Sequence, residues 1–346
     1  MKKCLLGGAI MVKNEINIIE KTLKSCHENV DIIIVLDTGS TDGTQNFITQ
    51  TCKKLKIKLK LYEEPFIDFS TSRNKLLQLS RPYAKYLLLL DSNDEIKNGH
   101  VLKPFLRKVV NSDVFTCKSL FENDVGIEGS KKIFYKYLII KSSSTHMYYT
   151  ESIHEYITSK KDYTYNEELS KTDFYLYQNR SLDKSSVPRL ENDVELLLKQ
   201  PDVNRNMFYL GITYYNLKNY PKSYEWSYRR VLVHKSGDKY DEYCFVSYQM
   251  LLYLSYHLNS SNFNKIYDDI LIYCNNTRPE PYIIKASKLM NENKHDEAYP
   301  LLQLACQCPI PSDINAIYDL NLYENVRFKL LNICKYVVFP SLHIES

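Results

Sequence analysis

The sequence predicts an α/β domain on a mostly parallel sheet, followed by an α-helical repeat domain. Three observations carry this reading. Strand and helix patterns alternate from Cys4 to Leu90. The apolar run Leu87 to Leu90 stops abruptly at Asp91-Ser-Asn-Asp-Glu95. From Pro188 onward a helical periodicity replaces the alternation.

Cys4 to Val12 reads as a first strand, and its apolar run is cut by Lys13-Asn14-Glu15, which removes the look of a signal peptide. Glu15 to His27 carries Ile18, Ile19, Leu23 and Cys26 at helical spacing. Asp31 to Leu36 is a β-branched run ending at Asp37, and Thr41-Asp42-Gly43-Thr44 opens a helix to about Leu55. Ile57 to Tyr62 alternates as a strand, Asp68 to Ser80 reads as a third helix, and Leu87 to Leu90 as a strand buried on both faces. This order is the signature of a doubly wound sheet with right-handed crossovers. Val101 to Val109 reads as helix. Asp113 to Phe121 and Ile133 to Ile140 read as an antiparallel hairpin added to one side of the sheet. Lys160 to Lys171 is polar and reads as part of a connection, so the domains are expected at 1–160 and 188–346, joined by 161–187.

With 346 residues the chain has room for two domains. A net charge of +4 argues for no nucleic-acid partner. The 30 tyrosines against one tryptophan accompany many Asn, Lys and Ile, as an AT-rich genome would give. The nine cysteines are scattered, with Cys306 and Cys308 the only close pair, which suits reduced thiols in a cytoplasmic setting. No apolar run reaches the length of a membrane span.

In an open α/β sheet, ligands bind beyond the carboxyl ends of the strands. Asp37 and Asp91 each follow a strand directly, and two carboxylates on neighbouring strand ends can serve different halves of one ligand. Asp91, Asn93, Asp94 and Glu95 crowd hard oxygen ligands at one strand end, which suits Mg2+ or Mn2+ bridging a diphosphate. The turn Asp37-Thr-Gly-Ser-Thr-Asp-Gly-Thr44 offers backbone N–H groups at a helix N-terminus. Neither a G-x-G-x-x-G dinucleotide fingerprint nor a GK[ST] phosphate loop is present there.

The segments Ala9 to Glu15, Val35 to Thr44, Pro65 to Asn74 and Leu90 to Glu95 together resemble the ordered motifs of family 2 glycosyltransferases with the GT-A fold. The resemblance covers about the first 155 residues of the chain. It implies a nucleotide-diphosphate sugar donor, by preference a UDP-sugar, a divalent metal, and inversion at the anomeric carbon. Carried over by position, Asn14, Glu15, Asp37, Arg73, Asp91, Ser92 and Asn93 would surround the donor. Glu15 and Asp37 would contact the nucleoside, Arg73 would hold the nucleotide, and Asp91 would begin the D-x-D metal motif. The third residue of that motif is Asn93, a weaker ligand than a carboxylate, with Asp94 a substitute.

Inverting transfer also needs a carboxylate that takes the acceptor's proton. His154-Glu155, within Tyr149 to Tyr156, resembles the short His-Glu motif of family members with helical-repeat tails. Glu155 is the expected base, Glu151 its rival, and His154 a metal ligand or an orienting group for Glu155. In the second half, helical patterns run over 189–198, 206–217, 220–233, 240–258, 264–273, 282–291 and 295–306. Leu210, Gly211, Tyr214 and Tyr220, then Ala286, Leu289, His295, Ala298 and Ala305, fall at tetratricopeptide-like spacing. This tail resembles that of repeat-bearing glycosyltransferases, including those of bacteria and large DNA viruses, where the location would be host cytoplasm. Such a concave surface suits a glycan or protein acceptor or a second copy of the chain. Two other readings stand beside the transferase: a degenerate domain serving as a helical-repeat scaffold, and a sugar-nucleotide nucleotidyltransferase. The second would place a glycine-rich basic loop after the first strand, where Met11-Val-Lys-Asn-Glu15 stands instead.

Overall fold

The computed structural model describes residues 2–109, 112–123, 128–181, 187–200, 203–234 and 239–339. The chain forms two compact units: residues 1–126 with 133–182, and residues 127–132 with 183–346.

The first unit contains strands β1 (Cys4–Val12), β2 (Ile32–Asp37), β3 (Leu59–Glu63), β4 (Ala84–Leu90), β5 (Glu95–Lys97), β6 (Val114–Glu122), β7 (Lys131–Lys141), β8 (Met147–Thr150), β9 (Tyr156–Ser159), β10 (Tyr165–Asn166) and β11 (Tyr175–Asn179). The main sheet runs β3-β2-β1-β4-β7-β6-β11-β5. From β3 to β4 every pairing is parallel. The crossovers are helices α1 (Ile19–Cys26), α2 (Thr44–Lys54) and α3 (Phe69–Ser80), followed by α4 (Leu102–Lys108). Alternate strand residues feed two cores, as a sheet covered on both faces requires. Ile33, Val35, Leu88 and Leu90 pack with Ile19, Leu23 and Ile48 on one face. Ile34, Leu36, Leu87 and Leu89 pack with Leu76 and Leu77 on the other. Strand β1 passes so close to its neighbours that a Cβ at Gly7 would meet the Ala84 Cβ and the Ile34 Cδ1 at 3.1 Å.

Three expectations need correction. First, β2 and β4 are not neighbours. Both pair with β1, so Asp37 and Asp91 lie two strand spacings apart, about 10 Å. Second, the segment 161–187 is not a mere connection. It supplies β11, which pairs parallel to β6 and antiparallel to β5, and the first unit extends to residue 182. Its short polar stretches hide a strand whose alternate residues, Leu176 and Gln178, are buried while their neighbours are not. The segment around Tyr149 and Tyr156 forms a second hairpin, β8 paired antiparallel with β9. Third, the first helix starts at Ile19 and not at Glu15, because Glu15 to Ile18 form a turn in which the Glu15 carbonyl accepts from the Ile18 and Ile19 N–H groups.

The second unit holds helices α5 (Val187–Lys199), α6 (Val203–Asn216), α7 (Tyr220–Leu232), α8 (Glu242–His257), α9 (Phe263–Tyr273), α10 (Glu280–Asn291), α11 (His295–Gln307) and α12 (Arg327–Val338). The expected helical series is all present, within a few residues at each end. Consecutive helices pack on one another, α6 on α7 and α10 on α11 most extensively. Gly211 permits the first of these contacts: a Cβ there would stand 2.8 Å from the Ser227 Oγ, and the Ser223 Oγ donates to the Gly211 carbonyl at 2.8 Å. Most tyrosines of this unit serve packing, as in the stacked contact of Tyr240 with Tyr273.

One buried ionic cluster ties the unit together. Arg278 donates to Glu242 at 3.0 Å, to Glu280 at 2.7 Å and to the Ile317 carbonyl at 3.1 Å, with its guanidinium 4.2 Å from the Phe245 ring centre. Removing the arginine would strand two buried glutamates. Arg278→Met should therefore destabilise the protein by about 3–5 kcal/mol in chemical denaturation. An unchanged midpoint would show that the cluster contributes nothing to stability.

Candidate active site

Two strand ends build the site. Asp37 closes β2, every residue of which is buried. Its Oδ1 accepts from the N–H groups of Gly39 at 2.8 Å and Ser40 at 2.7 Å. Gly39 has a φ of 104°, a left-handed conformation that glycine adopts without strain. The other oxygen, Asp37 Oδ2, is buried and has no hydrogen-bond partner. A carboxylate oxygen in that condition is costly unless something supplies a donor. The loop after β1 is tied to this turn. Asn14 Oδ1 accepts from the Thr41 N–H at 2.8 Å, and the Asn14 N–H donates to the Ser40 Oγ at 2.8 Å. The Glu15 N–H donates to the Thr44 Oγ1 at 2.8 Å. Asn14 and Glu15 thus lie beside the Asp37 turn.

The second strand end gathers residues far apart in the chain. Arg73, in the first turns of α3, donates through Nη2 to Asp91 Oδ1 at 2.5 Å and through Nε to Glu155 Oε1. The side chains of Arg73 and Glu155 are 14% and 13% exposed, whereas Asp91 is 34% exposed, so the carboxylate at the strand end is the open one. The Arg73 guanidinium lies 5.6 Å from the centre of the Tyr149 ring. Asn74, the next residue, docks the hairpin independently. Its Nδ2 donates to the Tyr149 carbonyl at 2.8 Å, and its Oδ1 accepts from the Tyr149 N–H at 2.7 Å. Asp68 caps α3 by accepting from the Thr71 N–H, which fixes the turn that carries Arg73. Lys136 on β7 brings its Nζ to 4.0 Å from Asp91 Oδ2.

Burial alone would lower the affinity of Arg73 for its proton, but Asp91, Tyr149 and Glu155 raise its pKa well above the usual value. Burial would likewise raise the Asp91 pKa, yet Arg73 and Lys136 hold it well below the usual carboxylate range. Tyr149 is pushed up, first by burial and then by the negative charge of Glu155 and Asp91, against the pull of Arg73.

Asp94 does something different from what its position suggests. It is 1% exposed, and its Oδ2 accepts from the Asp91 N–H at 2.7 Å. Its Oδ1 accepts from Gln178 Nε2 at 2.8 Å. Both oxygens face inward, so Asp94 shapes the turn that presents Asp91 rather than standing beside it as a ligand. The Ser92 carbonyl accepts from the Thr22 Oγ1 at 2.6 Å, which pins the same turn to α1. Among the described residues no group of three or more His, Cys, Asp or Glu side chains is arranged to hold a metal ion. Of the expected set Asp91, Asn93, Asp94 and His154, Asp94 has both oxygens engaged inward, whereas Asp91 and Asn93 are half-buried at the strand end. One carboxylate and one amide suit Mg2+, which keeps several waters and takes further oxygens from substrate phosphates. His154 and Glu151 adopt φ values of 53° and 68° in the β8–β9 turn that leads to Glu155.

Two participants escaped the sequence reading. Lys136 sits in an otherwise ordinary strand, and nothing in its neighbourhood in sequence marks it. Gln178 lies on β11, and recognising its buried alternation with Leu176 would have exposed it.

Residues 9–173 match the family model described as Glycosyl transferase family 2. These residues form a family 2 glycosyltransferase domain. S. aureus TarS 1–349 in complex with UDP-GlcNAc is a similar structure, at 15% identity and a TM-score of 0.41, covering 76% of this chain and 90% of that one. Glucosyl-3-phosphoglycerate synthase from Mycobacterium tuberculosis, in complex with Mn2+, UDP and glucosyl-3-phosphoglycerate, shares 18% identity at a TM-score of 0.26, covering 34% of this chain and 44% of that one. A TPR repeat-containing protein of Synechococcus elongatus is 32% identical over 87 residues, which are 25% of this chain and 20% of that protein's length. The glycosyltransferase domain is thus accompanied, in one chain, by a tetratricopeptide-like helical unit.

The pH dependence of this domain should reveal the inward role of Asp94. Burial first, and the neighbouring Asp91 charge second, push the Asp94 pKa up to about 6. The folded state then holds a proton that the unfolded state releases near pH 4. Stability from this group is present below that range and is lost as pH rises toward 6. Asp91, with its lowered pKa, acts in the opposite sense and only at more acid pH. Asp94→Asn, which keeps the shape and remains neutral, should flatten the stability profile between pH 4 and 7 in urea titrations. A profile as steep as the parent's would contradict this assignment.

Proposed function

We propose that the protein transfers a sugar, with inversion, from a nucleotide-diphosphate sugar to a hydroxyl group on a glycan or protein. A UDP-sugar is the first donor to test. The observation that carries this reading is the meeting of Asp91 and Glu155 on one guanidinium, about two strand spacings from an unpartnered oxygen of Asp37. A nucleoside can span that interval. Asp37 Oδ2 would accept from the uracil N3–H or a ribose hydroxyl, with Asn14 and Glu15 shaping the wall beside it. The diphosphate would then lie over Asp91, where Arg73 and Lys136 are the positive side chains within reach.

A divalent cation held by Asp91 and Asn93 would neutralise the leaving diphosphate as it departs. The chain's own groups do the rest. Glu155 accepts the proton of the acceptor hydroxyl as its oxygen bonds to the anomeric carbon. The bond from that carbon to the diphosphate breaks in the same displacement, and the diphosphate leaves with the electron pair. Arg73, with its raised pKa, stays positive throughout. Part-buried charges kept beside one another in this way favour the enzyme over a degenerate scaffold, which has no use for them.

The helical unit is proposed as the acceptor-binding part. None of the described helices is long and apolar enough to cross a membrane. The nine cysteines are all free, which supports a reducing, cytoplasmic setting as the corresponding proposal.

Two variants test the roles separately. Asp37→Ala should weaken UDP binding by about 1.5–3 kcal/mol in calorimetry, the scale of a hydrogen bond to a charged group. Unchanged affinity would remove Asp37 from the nucleoside. Glu155→Gln should bind UDP but lose turnover, measured as donor cleavage in a screen of nucleotide sugars, by ~10²-fold or more. Near-parent turnover would transfer the role to Glu151, and loss of UDP binding as well would make Glu155 structural.

A further inference from the structure

The base has a conflict built into it. A general base must offer a lone pair to the incoming proton. Glu155 spends one on Arg73 Nε, in a pair whose two side chains are 14% and 13% exposed. The same guanidinium is divided, because Nη2 holds Asp91 Oδ1 at 2.5 Å. Arg73 therefore couples the proposed donor side of the site to the proposed acceptor side.

We infer that Arg73 is a positioning residue transferred from Glu155 to the donor's diphosphate, so that Glu155 becomes a free base only when a nucleotide is bound. This rests on the donor reading given above. The geometry favours the exchange in three ways. Diphosphate oxygens accept from a planar guanidinium in the bidentate fashion that carboxylates do, and a diphosphate carries more charge than one carboxylate. The diphosphate belongs at Asp91, which Arg73 already touches, so the guanidinium need only swing away from Glu155 and not cross the site. The hairpin that carries Glu155 does not depend on the ion pair for its docking. Asn74 holds the Tyr149 backbone through both the nitrogen and the oxygen of its side-chain amide. Arg81 holds the Ser142 carbonyl at 2.9 Å and the Met147 carbonyl at 3.0 Å. Glu155 can thus lose Arg73 while β8 and β9 stay in place. The Tyr149 ring, its centre 5.6 Å from the guanidinium carbon, flanks Arg73 on the hairpin side.

The device has a chemical consequence. A carboxylate takes a hydroxyl proton only as that oxygen bonds to the anomeric carbon, so freeing Glu155 beside bound nucleotide supplies the base at the moment the electrophile is present. It also makes Arg73 responsible for two separable properties, donor affinity and the accessibility of Glu155.

Carboxylate labelling of the full chain reads the second property directly. The protein is treated with a water-soluble carbodiimide and an amine, with and without UDP and Mg2+, and the labelling rate of Glu155 is read by peptide mass spectrometry. The exposed Glu20 and Glu195 serve as internal references, and UDP binding is measured in parallel by calorimetry. The expected result is a several-fold rise in Glu155 labelling on UDP binding, with the references unchanged. Arg73→Gln should label Glu155 rapidly without UDP and show no further rise. If UDP binds and Glu155 labelling stays level or falls, the transfer of Arg73 is wrong while the donor reading stands. If UDP does not bind the parent protein at all, the donor reading fails and this inference fails with it. Should Arg73→Gln loosen the hairpin, Glu151 would label together with Glu155, and the parent protein's response to UDP alone decides the matter.

Discussion

The first unit depends on a single shared cation. Arg73 joins Asp91, at the end of the fourth strand, to Glu155, in the turn of a later hairpin. These residues come from three separate parts of the chain, and burying two carboxylates near each other is unfavourable without a positive charge between them. The guanidinium lowers that cost and fixes the distance between the groups. Lys136 adds a second positive charge on the open side of Asp91. The remainder of the unit can be understood as support for this arrangement. Strands β1 to β4 deliver Asp91 to the carboxyl end of the sheet, Asp68 starts the helix that carries Arg73, and Asn74 fastens the hairpin that carries Glu155.

The parallel half of the sheet was legible in sequence because its physics is local. A buried strand in a parallel sheet reads as a continuous apolar run, and a crossover helix reads as a 3.6-residue period. The first signal is strong in Ile32 to Leu36 and Leu87 to Leu90, and the second in Ile19, Leu23 and Cys26. The other half was harder. β11 is short, and its tyrosines alternate with Leu176 and Gln178 in a way that a polar surface segment also shows. Its role comes from pairing with β6, far away in the chain, and no local window contains that information. The order of strands was equally invisible: that β1 separates Asp37 from Asp91 follows from the crossovers taken together, not from either motif.

The site shows the same division. Asp37 and Asp91 could be placed at strand ends, where ligands bind in such sheets, and Arg73 came from the family resemblance. Their partners could not be read. Asp94 carries the same side chain as Asp91 and lies three residues away, yet its carboxylate turns inward to the Asp91 N–H and Gln178. Sequence spacing marks which residues crowd a turn, whereas the turn's own hydrogen bonds decide which of them face out. In the helical unit, the small residues Gly211 and Ala286 were visible as packing positions, but the Arg278 cluster was not, since its glutamates and its arginine look like ordinary surface charges.

A crystal structure of the protein with UDP and Mg2+ is the most direct test of the account. It predicts the uracil or ribose against Asp37 Oδ2, the diphosphate over Asp91 and in contact with Arg73, and Glu155 released from Arg73 and facing the open side. UDP bound elsewhere, or its diphosphate placed away from Arg73 with the Arg73–Glu155 pair intact, would contradict it.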